Sequence, residues 1–421
     1  MDIWFFSHYF PPEGNAPASR TWENCRRWVR SGHRVTVITC APNVPDGKVY
    51  PGYHNRIRSR EKMEGIEVLR VWTYLAPNRG TAKRILNFLS YMCSSVLFSL
   101  PRRKPNVIIA TSPQFFCGWA GLIASRLKGV PFILEIRDLW PETIVAIGAM
   151  ENRMILKFLD RLARRMYAGA DRIVTVGEGY RDNLVRQGVP VEKVEVVHNG
   201  ADPDFFAPRT SDPAIRKRYG LEGKFVCSYV GTLGLCSGLE VVPRAARLLR
   251  ERGRGDIAFL LVGDGAIRET LEETCRREAL DNVVFAGRRP KEEIPAFIAA
   301  SDACLAHLKD SHLFRTVLPS KFFEAAAMAR PVIMGVAGRA AELTARAEAG
   351  VCVEPENPEG LVRALLRLAD HPEEAAALGR SGREYVSLHH NPDLLAEKYL
   401  GLVSDLVGGG GTDSLRGEEL A

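Results

Sequence analysis

Short apolar runs recur along the whole chain, separated by longer stretches with helical spacing of apolar positions. In the first half the runs are Ile3–Ser7, Arg34–Thr39, Ile66–Val71, Asn106–Thr111, Phe132–Glu135, Arg172–Val176 and Val194–Val197. In the second half they are Phe225–Val230, Ala258–Val262, Val283–Ala286, Ala303–Ala306, Pro331–Met334 and Gly350–Val353. Most are continuous rather than alternating in polarity, the pattern of strands buried on both faces. Helical spacing predicts helices between them, among them Ala16–Ser31, Glu178–Gln187 and Leu239–Arg252. Such β-α alternation predicts an α/β fold of parallel sheets with right-handed crossovers.

The alternation breaks once and restarts. Asn199-Gly200-Ala201-Asp202-Pro203 is a dense turn cluster, followed by Pro208 and Pro213. This predicts two doubly wound, Rossmann-like domains, residues 1–200 and 201–385, facing a cleft. A helix over 386–407 is placed to cross back to the first domain, and 408–421, with four consecutive glycines, reads as a disordered tail. In such domains ligands bind beyond the carboxyl ends of the strands.

Composition narrows the class. The 421 residues are 46% hydrophobic and 25% charged, which excludes a collagenous, largely disordered or disulfide-scaffold protein. The net charge of +7 is uneven: residues 1–104 hold 17 Lys/Arg against 7 Asp/Glu, whereas 201–421 hold 28 against 33. A basic excess at one end points to an anionic partner. The nine cysteines form no CxxC pair, so a zinc ribbon or thioredoxin-type site is disfavoured and reduced thiols are expected. The opening residues lack the pattern of a signal peptide, predicting a cytoplasmic chain.

The sixteen residues Ile85–Leu100 carry no charge, yet Lys83-Arg84 precede them and Arg102-Arg103-Lys104 follow. As a helix the run is about 24 Å long, short of a ~30 Å hydrocarbon core. Residues 83–104 are therefore predicted to lie on the inner face of the cell membrane, with Phe88, Leu89, Met92 and Phe98 inserted. The alternative is an ordinary buried helix.

Candidate chemistry sits at the predicted strand ends. Gly14, in the loop after the first strand, allows close backbone approach to a phosphate. Gly231-Thr232-Leu233-Gly234 and Gly238 expose backbone N–H groups before a helix, which suits an anion. Gly263-Asp264-Gly265 and Gly287-Arg288 end the next two strands. In Leu318-Pro319-Ser320-Lys321-Phe322-Phe323-Glu324, Pro319 and Ser320 start a helix and Lys321 and Glu324 share one face of it. They form either a phosphate-and-diol pair or a surface ion pair. Glu135-Ile136-Arg137-Asp138 likewise reads as cleft residues or an internal salt bridge.

Together these segments resemble the GT-B glycosyltransferases of family 4, in particular the bacterial surface-polysaccharide group of colanic-acid and O-antigen type, over about residues 1–405. The likeness rests on Tyr9-Phe10-Pro11-Pro12-Glu13, Arg137-Asp138-Leu139-Trp140-Pro141-Glu142, Asn199-Gly200-Ala201-Asp202, Gly231-Thr232-Leu233-Gly234, Gly263-Asp264-Gly265, and Pro319-Ser320-Lys321 through Glu324 to Arg330-Pro331. It implies a retaining transferase that takes a nucleotide sugar, UDP-linked, and a lipid-diphosphate-linked acceptor, with no metal and no cofactor. By resemblance, Gly14, Gly231, Thr232, Gly234, Gly263, Arg288, Ser320, Lys321 and Glu324 hold the nucleotide sugar. Glu324 would take the ribose hydroxyls, Lys321 the diphosphate, Arg288 the base, and Asp138 would line the sugar or acceptor side. Two departures stand out. Thr316 occupies the earlier position of the E-x7-E pattern, and Leu235-Cys236-Ser237-Gly238 lacks the cation many members place there. The rival readings are a GT-B sugar-nucleotide epimerase and a nucleic-acid-binding protein, although no nucleic-acid motif is present.

Overall fold

Eight strands make one sheet and six another. The computed structural model describes residues 1–77, 81–146, 152–210 and 212–409, and the predicted tail from 410 onward lies outside them. The chain divides into two units: Met1–His198 with the segment from Pro392 onward, and Asn199–Asn391.

The first unit runs β1 (Asp2–Phe6), α1 (Ala16–Arg30), β2 (Arg34–Cys40), β3 (Arg58–Met63), β4 (Ile66–Val71) and α2 (Thr81–Ser99). It continues with β5 (Val107–Thr111), α3 (Phe115–Lys128), β6 (Phe132–Ile136), α4 (Glu142–Ala146), α5 (Arg153–Gly169), β7 (Arg172–Thr175), α6 (Glu178–Arg186) and β8 (Val194–Val196). Its sheet order is β3-β4-β2-β1-β5-β6-β7-β8, parallel except for the β3–β4 pair. The order reverses between β1 and β5, the switch point at which such sheets bind ligands.

The second unit runs α7 (Pro213–Arg218), β9 (Phe225–Val230), α8 (Val241–Glu251), β10 (Ile257–Val262), α9 (Arg268–Arg277), β11 (Val283–Gly287) and α10 (Ile294–Ala299). It continues with β12 (Ala303–His307), α11 (Ser320–Ala327), β13 (Val332–Gly335), α12 (Arg339–Arg346), β14 (Gly350–Cys352), α13 (Pro358–Asp370) and α14 (Pro372–His389). All six strands are parallel in the order β11-β10-β9-β12-β13-β14, with the switch between β9 and β12. The last helix, α15 (Pro392–Gly409), belongs to the first unit. There Trp28 donates from Nε1 to the Ala396 carbonyl at 3.0 Å and meets the Tyr399 ring edge-on at 5.2 Å.

Two elements differ from the sequence reading. The strand β3, Arg58-Ser59-Arg60-Glu61-Lys62-Met63, is polar up to Met63 and none of its residues is fully buried, so hydrophobic patterning gives no sign of it. It pairs antiparallel with β4 at the sheet edge, where charged side chains discourage further strand pairing. The helix α2 is turned from the predicted orientation. Phe88 and Tyr91 point inward, with Asn87, Ser94, Ser95 and Ser99. Its hydroxyls return to the helix itself, Ser95 to the Met92 carbonyl and Ser99 to that of Val96, so this polar face is satisfied when buried. The outward stripe is Ile85, Leu86 and Leu97, the last 62% exposed.

Glu135, fully buried at the end of β6, accepts from Arg20 Nε at 3.0 Å and from the Thr111 hydroxyl at 2.7 Å. The Arg20 guanidinium also donates to the carbonyls of Val197 and His198, at 2.8 and 2.6 Å. Arg20→Met should therefore destabilise the protein to urea by about 3 kcal/mol, because it strands a buried carboxylate. Adding Glu135→Leu should restore most of that loss; a double variant as unstable as the single one would show that the pair is not the cause.

Candidate active site

In the second unit the carboxyl ends of β9 and β10 converge on two glycines. Gly231 has φ 141° and Gly263 has φ 146°, the region that favours glycine. A β-carbon on Gly263 would lie 1.9 Å from the Gly231 carbonyl oxygen. A β-carbon on Gly231 would lie 2.9 Å from Lys321 Nζ. Lys321 thus lies directly across the bare backbone of Gly231. It comes from the first turn of α11, which Pro319 and Ser320 start beyond β12. Its ammonium sits 4.7 Å from the centre of the Tyr229 ring, and the Tyr229 hydroxyl donates to the Thr232 carbonyl at 2.9 Å.

Burial pulls the Lys321 pKa down, but Tyr229, Glu324 and Cys236 more than offset it, so it stands above the usual lysine value and the side chain is cationic. Glu324, one turn further on, is half-buried. Burial raises its carboxyl pKa, and Lys321 and Lys291 partly counter that. Among the described residues neither Lys321 nor Glu324 is in an ion pair, so the surface-pair alternative does not describe them. A cation over an open glycine turn, with an uncommitted carboxylate one helical turn away, can receive a diphosphate and a diol.

The glycine loop is braced from below. Leu233 N–H donates to the Asp264 carbonyl at 3.0 Å, and Lys309 N–H to that of Cys236 at 2.9 Å. His307, buried at the end of β12, takes the Glu356 N–H on Nε2 at 2.9 Å and faces the Ser237 carbonyl with Nδ1 at 2.8 Å. The two bonds specify a neutral ring protonated at Nδ1, and burial holds its pKa below the usual histidine value. Thr316 donates to the Leu313 carbonyl at 2.6 Å, a local turn bond. Arg288 is exposed beyond β11.

In the first unit, Gly14 is exposed just before Asn15, the N-cap of α1. Its neighbour Glu13 is buried and accepts from the backbone N–H groups of Asn43 and Val44, at 2.9 and 3.1 Å. Burial raises the Glu13 pKa to about 7. Asp138 follows β6 and is half-buried; the Ser112 hydroxyl accepts from the backbone N–H of Arg137 at 2.9 Å and of Asp138 at 3.4 Å. Of the charged group 135–138, Glu135 is thus the internal salt bridge and Asp138 the group on the loop. Sequence reasoning missed Tyr229, His307, Ser112 and Glu13. Tyr229 lies inside a continuous apolar run and His307 just past the end of one, while nothing in Tyr9-Phe10-Pro11-Pro12-Glu13 signals that Glu13 is buried.

Among the described residues no three His, Cys, Asp or Glu side chains gather into a metal site. Burial raises the Asp138 pKa to about 6, with Arg137 pulling it back. Its carboxylate form is therefore lost as pH falls through about 6. Turnover should show an acid limb there, and Asp138→Asn should remove it; a variant that keeps the limb would assign it to another group.

Comparison with known proteins agrees with this geometry. Residues 15–200 match the model of the glycosyl transferase 4-like domain, and residues 224–371 that of glycosyl transferases group 1. The chain is 26% identical over 385 residues to the putative colanic acid biosynthesis glycosyl transferase WcaI of Escherichia coli K12, covering 87% of this chain and 91% of that one. It is 25% identical to the probable glycosyltransferase WbjE of Pseudomonas aeruginosa, over 76% of this chain and 79% of the relative. Among solved structures, HepE of Anabaena in complex with UDP-glucose superposes with a TM-score of 0.71 at 18% identity, over 96% of this chain and 100% of that one. The chain belongs to the glycosyltransferases of GT-B fold, with a glycosyl transferase 4-like domain followed by a group 1 domain.

Proposed function

We propose that this glycosyltransferase is a retaining enzyme of surface-polysaccharide synthesis. It moves a hexose or N-acetylamino sugar from a UDP-sugar onto a lipid-diphosphate-linked saccharide. The observation that carries the reading is Lys321 lying across Gly231 with Glu324 free one turn away. The relative named for colanic acid biosynthesis and the neighbour solved with UDP-glucose support it.

In the proposed reaction the bond from the anomeric carbon to the β-phosphate oxygen breaks as the acceptor oxygen bonds on the same face. The acceptor proton passes to the departing β-phosphate. Charge grows on the diphosphate, and Lys321 with the Gly231–Gly234 backbone stabilises it without a metal. Glu324 holds the ribose diol, and Asp138 positions the sugar and acceptor.

Glu324→Ala removes a charge-assisted pair of hydrogen bonds, each about 1.5–3 kcal/mol, so UDP affinity should fall more than about tenfold. Lys321→Ala should depress kcat more than it weakens nucleotide binding, because the leaving charge develops in the transition state. Unchanged UDP affinity in the first variant, or near-normal kcat in the second, would break the assignment. Incubation with UDP-N-acetylglucosamine alone should yield no new sugar nucleotide; an epimer would favour the epimerase.

The acceptor reading places the first unit on the cytoplasmic face of the membrane through residues 83–104. No helix among the described residues is long and apolar enough to cross a membrane. The outward residues Ile85, Leu86 and Leu97 offer a shallow apolar stripe between basic flanks. The helix α5 adds exposed Met154, Ile155 and Phe158 beside Lys157, Arg161 and Arg165. The protein should pellet with anionic liposomes and be released in part by salt. Ile85→Ser with Leu97→Ser should weaken pelleting, whereas wild type that stays in the supernatant at low salt would exclude this attachment.

A further inference from the structure

Among the buried polar atoms of the first unit that lack a hydrogen-bond partner, two belong to side chains packed on one ring. They are Nδ1 of His8 and Nε of Arg84. His8 is 3% exposed and meets the Phe88 ring edge-on at 5.6 Å. The Arg84 guanidinium lies over the same ring, 5.6 Å from its centre. No hydrogen bond or ion pair among the described residues engages Arg84. Tyr9 packs on His8 at 5.0 Å, and its hydroxyl is near enough to both Arg84 and Asp138 to feel their charges. The group therefore gathers beside the first unit's switch point, where β1 hands the chain to His8 and Tyr9.

The charge pattern of α2 points the same way. Lys83 and Arg84 are in its first turn, and that turn has no acidic residue. A helix N-terminus carries partial positive charge, so two cations there oppose the helix. Local rules broken without local compensation are expected at functional or strained sites. Buried polar atoms left unpaired beside an uncommitted guanidinium call for a ligand, and an anion would satisfy both features.

We propose that Arg84, with Lys83, Tyr9 and His8, forms a phosphoryl-anion site of the first unit, and that its occupant is the phosphate group of the acceptor. The identity of the occupant rests on the lipid-diphosphate reading above; the anion site does not. Burial holds the His8 pKa at about 3 although Asn87 on the ring pulls it back up, so His8 stays neutral and Arg84 and Lys83 supply the charge. The donor diphosphate has its own cation, Lys321, in the second unit.

The test is calorimetric titration of geranyl diphosphate into the full-length protein saturated with UDP. Wild type should bind it, and Arg84→Gln should weaken binding more than about tenfold through loss of a charge-assisted contact. Lys83→Gln should have a smaller effect, and both variants should keep wild-type UDP affinity, which shows that they fold. Inorganic pyrophosphate should compete and geraniol should not. The proposal is overturned if wild type binds no geranyl diphosphate, if Arg84→Gln binds it as wild type does, if geraniol competes as well as pyrophosphate, or if Arg84→Gln weakens UDP instead. Anion binding without sugar transfer to any lipid diphosphate would refute the acceptor reading alone.

Discussion

The second unit depends on how closely two backbones approach. Residues Val230 and Val262 are partners in the β9–β10 ladder, so both strands end together. The ladder then extends by one bond, from Gly231 N–H to the Val262 carbonyl at 2.8 Å. Beyond it the Gly231 carbonyl fills the space that a β-carbon at 263 would need. Only glycine at both positions lets the chains turn away there. The result is an open patch of main chain, floored by Tyr229 and crossed by Lys321. Any side chain at 231 would displace the ammonium, and any at 263 would force the loop apart.

The two units use one topology and opposite electrostatics. At the end of β6 the first unit buries a carboxylate and satisfies it with Arg20 and Thr111. That pair also ties β6 to the carbonyls of Val197 and His198, so the fold itself neutralises the charge. At the end of β9 and β12 the second unit leaves Lys321 and Glu324 without ion-pair partners. Desolvated charges that the fold does not neutralise are costly, and sites are where proteins tolerate that cost. The same contrast separates Arg84 from the many paired arginines of the chain.

The helix α2 shows how apolar content misleads without tertiary context. Its uncharged run reads either as a membrane-lying surface with large residues inserted outward or as an ordinary buried helix. In the fold, serines and Asn87 go inward with Phe88 and Tyr91, because their polar groups find backbone partners and their small size admits close helix packing. The leucines that remain outside form a narrower stripe than the sequence suggests.

Continuous apolar runs and turn clusters by themselves determined the α/β class and two parallel sheets, because strands buried on both faces have little room for polar residues. The glycines after β9 and β10 and the Pro319–Glu324 helix start were also legible, since backbone strain and helix capping act locally. Tertiary structure alone decided which charges are spent. Glu135 and Asp138 stand three residues apart in one motif, yet the first is locked to Arg20 and the second is half-buried on a loop. Lys321 and Glu324 have the spacing of an ion pair, yet Gly231 and Tyr229, about ninety residues earlier, draw the lysine away. The polar strand β3 was invisible for the same reason: its pairing is set by a neighbour across the sheet, and no pattern within six residues records a partner that the fold supplies.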